Sequence, residues 1–430
     1  MKPLFIISCP IDTYSGYGAR SRDVVKAIIE LDKYNVQILP QRWGNTPWGF
    51  INDHPEWHFL TSYLLPAGNN VPSKPKIWAQ ISVPNEFQPI GDFNIGFTAG
   101  IETTICAPQW IEGLNRMDLN IVSSNHAKTV FENTKFTKQD TQGNNIGELS
   151  LNKPIEVLFE GANLTKYFPS KETNKLDLKH VKENFAFLAT GHWMPGDMGE
   201  DRKNIGLLVK AFYETFKNKK KSPALILKTS GAGASYLDRD YILNKLYTIK
   251  QSIEADTLPN IYFLHGELSD EEINNLYNHK KVKALVSLTK GEGFGRPLLE
   301  FSLVKKPIIT TNWSGHTDFL DSKFTTLIEG ELKNVHKSAA VKDMILEESQ
   351  WFSPNLMEVS NHLYSMFENY KTYEKGATLQ YHKSKNSFSF RHMKEVLNNQ
   401  LDQYVPEFPE EVKLQLPKLQ LPKLKKLEDA

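Results

Sequence analysis

Two glutamates flank a glycine-rich turn in the stretch TKGEGFGRPLLEFS, residues 289–302. The stretch follows the apolar run ALVSLT, so the turn is predicted to join a strand to a helix, with backbone N–H groups open to a ligand. Ionised carboxylates only accept hydrogen bonds, which suits Glu292 and Glu300 to the vicinal hydroxyls of sugars. A ligand with an anionic centre and a polyol at each end, such as a nucleotide sugar, fits this arrangement.

Two other interpretations of the pair stay open. Pro297 is predicted to be the first residue of the helix, where a backbone N–H would have no intrahelical partner. This prediction places Glu300 in the first helical turn. Glu300 would then stabilise the helix dipole, and Glu292 would be an exposed loop charge. The pair could also be a glycosidase acid and nucleophile, which lie about 5 to 10 Å apart. Eight residues of helix span about 12 Å, which disfavours this second alternative.

Cations for an anionic centre occur in the segment TGHWMPGDMGEDRKNIG, which follows another strand-like run. Arg202 and Lys203 could hold a diphosphate that becomes more negative as a sugar departs. A solvated loop beside the acidic residues is the alternative. Gly16 and Gly18, after the first strand, could let the backbone approach the diphosphate, or could form a simple tight turn.

The balance of charges limits the partners that the chain can have. Its 430 residues include 51 Lys and Arg and 50 Asp and Glu, so the net charge of +1 gives no broad basic field for nucleic acid. Two cysteines are too few for a disulfide framework. No apolar run has the length of a transmembrane segment, and the N-terminal residues lack the features of a signal peptide. We therefore expect a cytoplasmic protein.

Apolar runs that alternate with amphipathic segments predict strands joined by crossover helices. This series occurs twice, which predicts an α/β protein with two doubly wound Rossmann-like domains facing a central cleft. The predicted parts are an acceptor domain at 1–170, a donor domain at 171–350, C-terminal helices at 351–402 that pack back across the domains, and an extended tail at 403–430. The tail carries the repeat KLQLP, which could be solvated, lie against another surface or touch anionic lipid.

The motif GEGFGRPLLE, with seven residues between its two glutamates, resembles the E-x7-E signature of glycosyltransferase family 4, whose members are retaining enzymes of the GT-B fold. Further segments resemble the same family, in the family's order, over most of residues 3–320. These segments are SGYGARSRDVVKAI, DLNIVSSNHAKTVF, DRKNIGLLVKAF and PIITTNWSGHTDFL. The resemblance implies transfer of a sugar from a nucleotide-sugar donor to a carbohydrate or glycoconjugate acceptor. It implies no cofactor and no metal.

The resemblance also assigns roles to individual residues. Lys203 matches the family's phosphate-binding lysine, whereas His192 stands where the family commonly has an arginine, so Arg202 or Lys228 would replace that charge. Glu102 lies where many relatives place a histidine near the transferred sugar. The implied catalytic residues are Glu292, Lys203 and Glu102. The implied donor-binding residues are Gly16, Arg202, Lys203, Lys228, Glu292, Gly293, Phe294, Gly295 and Glu300.

Other patterns favour no competing chemistry. Asp238 and Asp240 form a D-x-D sequence, but the surrounding residues predict a helix, on which alternate residues point in different directions. His54 and His58 lack the glutamate that a zinc-protease helix needs between them. Two further functions remain open on the sequence: a nucleotide-sugar epimerase of related fold, and a catalytically silent nucleotide-sugar-binding protein.

Overall fold

Sixteen strands and eleven α-helices occur in the computed structural model, which describes residues 2–66, 71, 73–173, 175–231, 233 and 235–409. The strands are β1 (Leu4–Cys9), β2 (Asn35–Pro40), β3 (Ile77–Ile81), β4 (Phe93–Thr98), β5 (Leu119–Val122), β6 (Phe136–Gln139), β7 (Asn145–Leu149), β8 (Ile155–Val157), β9 (Ala186–His192), β10 (Ala224–Ser230), β11 (Ile261–Leu264), β12 (Val282–Ser287), β13 (Ile308–Thr311), β14 (Thr326–Ile328), β15 (Gly330–Asn334) and β16 (Gln350–Pro354). The α-helices are α1 (Gly16–Leu31), α2 (Phe50–Asp53), α3 (Pro108–Asn115), α4 (Asn125–Asn133), α5 (Ile205–Phe216), α6 (Tyr236–Gln251), α7 (Asp270–Asn278), α8 (Arg296–Ser302), α9 (Leu356–Glu368), α10 (Tyr370–Ser387) and α11 (Phe390–Tyr404). Short 3₁₀ helices cover Pro55–Tyr63, Pro84–Glu86 and Gly315–Asp318.

Twelve of the strands build two six-stranded sheets, in which every neighbouring pair is parallel. The order is β2-β1-β3-β4-β5-β8 in the first sheet and β11-β10-β9-β12-β13-β14 in the second. In both sheets the order reverses next to the first strand of the series, which opens a crevice at the carboxyl ends of the strands. The predicted pair of parallel α/β domains is confirmed.

Helices cover both faces of each sheet, which explains the nearly continuous apolar character of the strands. Along β1, Phe5 and Ile7 pack in the same cluster as residues of α1 and α11, whereas Ile6 packs in the cluster of α3 and α4. The second sheet repeats this division: Phe187 packs in the cluster that includes α5 and α9, and Leu188 packs in the cluster that includes α8. Alternate residues of a strand therefore supply two cores per domain.

Local capping explains where several helices begin. Ser269 and Glu272 form a capping box at the start of α7, in which each side chain accepts a hydrogen bond from the other residue's backbone N–H. Ser235 and Asp238 form the same box at α6, so the first aspartate of the D-x-D sequence has a structural partner. No helix in the described ranges has the length and apolar content needed to cross a lipid bilayer.

The chain passes between the two domains at two adjacent places. The first passage lies between Val157, the last residue of β8, and Ala186, the first of β9; the predicted boundary near residue 170 falls in this interval. The second lies between α10, which contacts α8, and α11, which packs against α1. Backbone hydrogen bonds join the passages: Ala162 N–H donates to Phe388 O at 2.8 Å, and Phe390 N–H donates to Ala162 O at 2.9 Å.

Three features were not predicted from the sequence. Strand β14 extends the edge of the second sheet, and β6-β7 and β15-β16 form two small antiparallel pairs outside the main sheets.

The helices predicted between 351 and 402 correspond to α9, α10 and α11, which occupy 356–404. The predicted tail begins in the last residues of α11, and its KLQLP repeat lies outside the described residues.

Candidate functional site

The glycine-rich turn leads directly into α8, and its geometry corrects two predictions. Gly295 has a left-handed backbone (φ 94°) and serves as the N-cap residue, so Arg296 is the first helical residue and Pro297 the second. Glu300 is consequently the fifth residue of the helix and lies beyond the first turn. The prediction of Pro297 at the first position and Glu300 in the first turn was wrong, because the helix begins immediately after the left-handed glycine.

A neighbouring segment of the second domain holds the turn in place. Glu292 N–H donates to Ser314 Oγ at 2.9 Å, and Gly315 N–H donates to Glu292 O at the same distance. Gly315 must be glycine here, since a Cβ atom would lie 2.2 Å from Gly293 O. Ser314 itself has a φ of 76°, an uncommon value for a non-glycine residue. The site therefore includes strained backbone, which its hydrogen bonds fix.

Two glycines of the turn make room for the first domain. A Cβ on Gly291 would lie 2.2 Å from Glu102 O, and one on Gly293 would lie 2.7 Å from Ala99 O. Ser123 of the first domain donates one hydrogen bond to Ala99 O at 2.6 Å or to Gly293 O at 3.1 Å. The expectation was that these missing side chains admit a ligand. In the structure they admit the backbone that follows β4, so the turn forms part of the contact between the domains.

Four of the predicted site residues meet at this contact. Lys203 Nζ lies 2.5 Å from Glu292 Oε1. Arg202 Nη1 lies 3.5 Å from Glu292 Oε2 and 3.4 Å from Glu102 Oε1, and it donates to Gly291 O at 2.9 Å. Two cations and two carboxylates thus form one cluster, in which Glu102 comes from the first domain and the other three residues from the second.

Electrostatics keeps Glu292 ionised in this cluster. Burial alone would raise the pKa of its carboxyl, but Lys203 and Arg202 outweigh that effect and lower the pKa to about 2. Burial would lower the pKa of Arg202, and the adjacent Glu102 and Glu292 reverse this and raise it. Ions buried at such distances interact strongly, so a ligand that replaced Glu292 beside the cations would have to be an anion.

Glu300 belongs to a second charged cluster at the other end of the turn. Arg296 lies between three buried carboxylates: its Nη1 is 2.8 Å from Asp23 Oδ2 and 3.4 Å from Glu160 Oε2, and its Nε is 3.1 Å from Glu300 Oε1. Burial raises the pKa of Glu300 to about 7; Arg296 opposes that rise, while the nearby carboxylates Asp270 and Glu160 add to it. Asp23 and Glu160 precede the second domain, so this cluster also spans the domain contact.

The remaining predicted residues make no ion pair with either cluster among the described residues. Gly16 is the exposed first residue of α1, and a Cβ there would meet no atom within 4 Å, so the position is open to a ligand. His192 is exposed at the end of β9, with Nδ1 3.0 Å from Ser230 Oγ, and Lys228 is half-buried on the adjacent β10. Phe294 packs against Phe319 at 5.0 Å between ring centroids, which leaves its backbone as the part available for a ligand.

Several residues of the site were not predicted from the sequence. Arg296 directly follows the glycine turn, and a cation at that position was the available signal for a buried ion pair. Its partners Asp23 and Glu160 lie 273 and 136 residues away in the chain, and no local pattern marks them. His316 is fully buried: its Nε2 is 2.6 Å from Thr311 O, and its Nδ1 has no hydrogen-bond partner among the described residues.

The described residues contain no group of three or more His, Cys, Asp or Glu side chains placed to hold a metal ion. Asp238 bonds to Ser235 at the start of α6, and Asp240 pairs with Arg239 at 3.1 Å. His54 Nδ1 lies 2.8 Å from Phe50 O, and His58 Nε2 lies 3.2 Å from Asn52 O, so each histidine has a local backbone neighbour.

Comparison of the sequence with known protein families gives one match. Residues 198–350 match the family described as Glycosyl transferases group 1, and this range contains Arg202, Lys203, Glu292 and Glu300. No curated protein sequence matches the chain. Most of the second domain is therefore similar to this family, while the matched range covers less than half of the chain.

Solved structures extend the similarity of fold to both domains. HepE of Anabaena, in complex with UDP and glucose, has a TM-score of 0.62 and 14% identity over 93% of this chain and 100% of its own. A glycosyltransferase from Rickettsia africae gives 0.59 and 14%, and sucrose-phosphate synthase from Thermosynechococcus elongatus gives 0.58 and 11%; each match covers 94% of this chain and 99% of the other. The chain has the GT-B fold of these proteins.

Proposed function

We propose that the protein is a retaining glycosyltransferase, which moves a sugar from a nucleotide-sugar donor to an acceptor hydroxyl of a glycan or glycoconjugate. One observation carries the proposal: Lys203 and Arg202 converge on Glu292 at the contact between the domains, within the segment similar to group 1 glycosyltransferases. Two cations beside a glycine-rich turn suit a diphosphate, and a carboxylate beside them suits sugar hydroxyls.

In the proposed complex the donor replaces an internal contact of the protein. Its diphosphate takes over Lys203 and Arg202, which are paired with Glu292 in this structure. Glu292 then accepts hydrogen bonds from the hydroxyls of the transferred sugar, together with backbone groups of Gly293, Phe294 and Gly295. The diphosphate replaces the carboxylate of Glu292 beside Lys203 and Arg202, so the positive charges of these two residues remain neutralised.

The reaction needs no protein nucleophile. The bond between the anomeric carbon and the phosphate oxygen breaks, and the acceptor oxygen bonds to the same face of that carbon, while the departing phosphate takes the acceptor's proton. Lys203 and Arg202 stabilise the charge that develops on this phosphate. Glu102, whose Oε1 lies 3.4 Å from Arg202, orients a sugar hydroxyl or stabilises positive character at the anomeric carbon. Because Lys203 and Arg202 neutralise the charge of the departing phosphate, the proposal requires no metal ion.

Glu300, Gly16 and Lys228 complete the proposed donor site. The carboxylate of Glu300 accepts hydrogen bonds from the ribose hydroxyls in exchange for part of its contact with Arg296. The open position beside Gly16 lets backbone N–H groups at the start of α1 approach the diphosphate from the first domain. Lys228 supplies a further cation near the end of β10.

The test is release of nucleoside diphosphate from UDP-, GDP- and ADP-sugars, measured with and without acceptor saccharides. UDP-glucose is the first donor to try, because the similar HepE structures hold UDP or UDP-glucose. Lys203→Ala and Glu292→Gln should each reduce turnover by about 10² to 10³-fold. Lys210→Ala is the control, since Lys210 is an exposed lysine on α5.

Each outcome separates one function from another. Slow release of nucleoside diphosphate that accelerates with an acceptor supports transfer. A changed sugar still attached to its nucleotide would identify an epimerase instead. Donor binding in a thermal-shift assay without any product would identify a binding protein and refute the proposed activity.

A further inference from the structure

Helix α6 carries a large share of the exposed apolar side chains in the described part of the chain. Only Ile242 and Ile249 of its 16 residues are buried, whereas eight of the 12 residues of the neighbouring α5 are buried. A solvated helix normally presents polar residues on its outer face. Five of the 19 large apolar side chains that are exposed in the described residues lie on α6 instead: Tyr236, Leu237, Tyr241, Leu243 and Tyr247.

Three of these side chains lie in one line along the helix. Tyr236, Leu243 and Tyr247 are at positions i, i+7 and i+11, within about 40° of one another around the helix axis. Tyr236 is 79% exposed and Tyr247 is 63% exposed. Arg239 and Lys250 lie within about 80° of the same line. These five residues are called the α6 stripe below.

The α6 stripe borders a groove of about 510 Å³ beside strand β11. Leu243 and Tyr247 line one wall of the groove, and Ile261 and Phe263 line the other. Strand β11 is outermost in its sheet, and no strand pairs with its outer edge among the described residues. Exposed edges usually carry a charge or a proline that prevents pairing with another chain. The sequence of β11, IYFL, has neither, so nothing in this strand opposes contact with a second chain.

The α6 stripe is complementary to itself when two copies of the helix pack antiparallel. With Leu243 opposite Leu243 of a second copy, Tyr236 faces Lys250 of that copy, and Arg239 faces its Tyr247. A cation beside an aromatic face is a favourable contact, and two-fold symmetry repeats each of these pairs. Parallel packing would instead place Arg239 against Arg239 and Lys250 against Lys250.

The charges of α6 favour the same orientation. Asp238 and Asp240 lie in the first five residues of the helix, and Lys245 and Lys250 lie in its second half. Antiparallel packing brings the acidic end of each helix beside the basic end of the other, where opposite charges attract. With Arg239 the helix has three basic side chains against two acidic ones, whereas surfaces that bind anionic lipid carry about four to eight basic residues. A second protein chain therefore fits α6 better than a lipid surface does.

We propose that α6 and the edge strand β11 form a two-fold symmetric interface between two copies of this chain. The two-fold axis passes beside Leu243, and it makes the β11 strands of the two copies antiparallel as well. Each copy contributes one helix about 24 Å long and one groove, which is at the small end of specific interfaces, about 1,200 Å² in total. The dimer should therefore dissociate on dilution. No residue of α6 or β11 belongs to the two charged clusters of the candidate site, so the inference does not depend on the proposed function.

Sedimentation equilibrium of the full chain from about 1 to 100 µM tests the association. The wild type should pass from the monomer mass toward twice that mass over this range. Leu243→Asp should raise the dissociation constant at least about 30-fold, because two carboxylates then face each other at the axis. Leu379→Asp is the matched control and should leave the dissociation constant unchanged, since Leu379 on α10 and Leu243 are both 43% exposed. Equal melting temperatures would show that both variants are folded.

Two cysteine variants test the position of the axis. Leu243→Cys should give a disulfide between two copies under mild oxidation, because this position faces itself across the axis. Tyr247→Cys should not, because its counterpart in the second copy lies about two helical turns away, beyond the reach of a disulfide. The native Cys9 and Cys106 are buried and should contribute little background.

Three results would overturn the inference: a chain that stays monomeric at the highest concentration, a dimer that Leu243→Asp leaves intact, or equal crosslinking of the two cysteine variants. If the chain is monomeric and binds vesicles of phosphatidylglycerol, and Leu243→Asp abolishes that binding, then a membrane covers α6 and the proposed dimer is refuted.

Discussion

Donor affinity should depend on pH through Glu300. Burial raises the pKa of its carboxyl to about 7, so at pH 7 about half of the molecules carry a proton there. A protonated carboxyl has lost acceptor capacity toward the ribose hydroxyls, and donor binding must then displace that proton. The dissociation constant for the donor should therefore rise as the pH falls below 7, and it should level off above about pH 8.

The size of the effect follows from that pKa. Below 7, each pH unit lowers the ionised fraction about tenfold, so the dissociation constant should be about 30-fold higher at pH 5.5 than at pH 8.5. Calorimetry with UDP-glucose is the assay, because both phosphates of this donor are esterified. Free UDP is unsuitable, since a terminal phosphate has a second pKa of about 6 and would titrate in the same range.

Glu300→Gln should bind the donor with nearly constant affinity over this range, because the amide does not titrate. His192→Asn should retain the wild-type slope. This variant is the control for the imidazole at the end of β9, whose pKa is lowered by partial desolvation of the ring and by the nearby Lys203, although the residue as a whole is exposed. A wild type with no slope, or a Glu300→Gln variant with the same slope, would refute the assignment of Glu300 to the donor site.

Three further predictions concern stability and are measured by urea unfolding. Arg296→Met should cost about 3 kcal/mol at pH 7, because three buried carboxylates lose their shared cation; a cost below 1 kcal/mol would contradict the geometry of that cluster. Gly18→Ala should destabilise by about 1 to 3 kcal/mol, since its Cβ would lie 2.3 Å from Thr13 O, whereas Gly16→Ala, which meets no atom, should not destabilise. Glu300 by itself should remove about 3 kcal/mol of stability as the pH rises from 4.5 to 7, because the folded protein keeps a proton on this carboxyl that the unfolded chain releases; the difference between the wild-type and Glu300→Gln profiles measures this component apart from His126, whose lowered pKa acts in the opposite direction.

The two sheets could be predicted because their strands are buried on both faces. Runs such as FAFLAT and ALILKT are almost entirely apolar, and in the structure they form the adjacent strands β9 and β10. The start of α7 also has a local sequence pattern, because Ser269 and Glu272 have the spacing of a capping box. The antiparallel pair β6-β7 was missed because most of its residues are exposed, which leaves no hydrophobic pattern.

The candidate site was only partly predictable. Lys203, Arg202 and Glu292 could be selected by residue type and by similarity to a family motif, and the structure brings them together. The role of Arg296 was not accessible, because its partners Asp23 and Glu160 are distant in the chain and are brought together only by the contact of the two domains. The glycines were interpreted as space for a ligand, since a sequence does not show which backbone will occupy that space.

The paired passages of the chain between the domains limit how the protein can bend. Ala162 exchanges two backbone hydrogen bonds with Phe388 and Phe390, and a Cβ on Gly161 would lie 2.6 Å from Phe390 Cα. Because the two passages are hydrogen-bonded side by side, we expect them to restrict twisting and sliding of one domain against the other, and to bend more easily about an axis that runs across both. The crevice should therefore open by rotation of the domains about this one axis, and the two domains should return to the same relative orientation each time it closes.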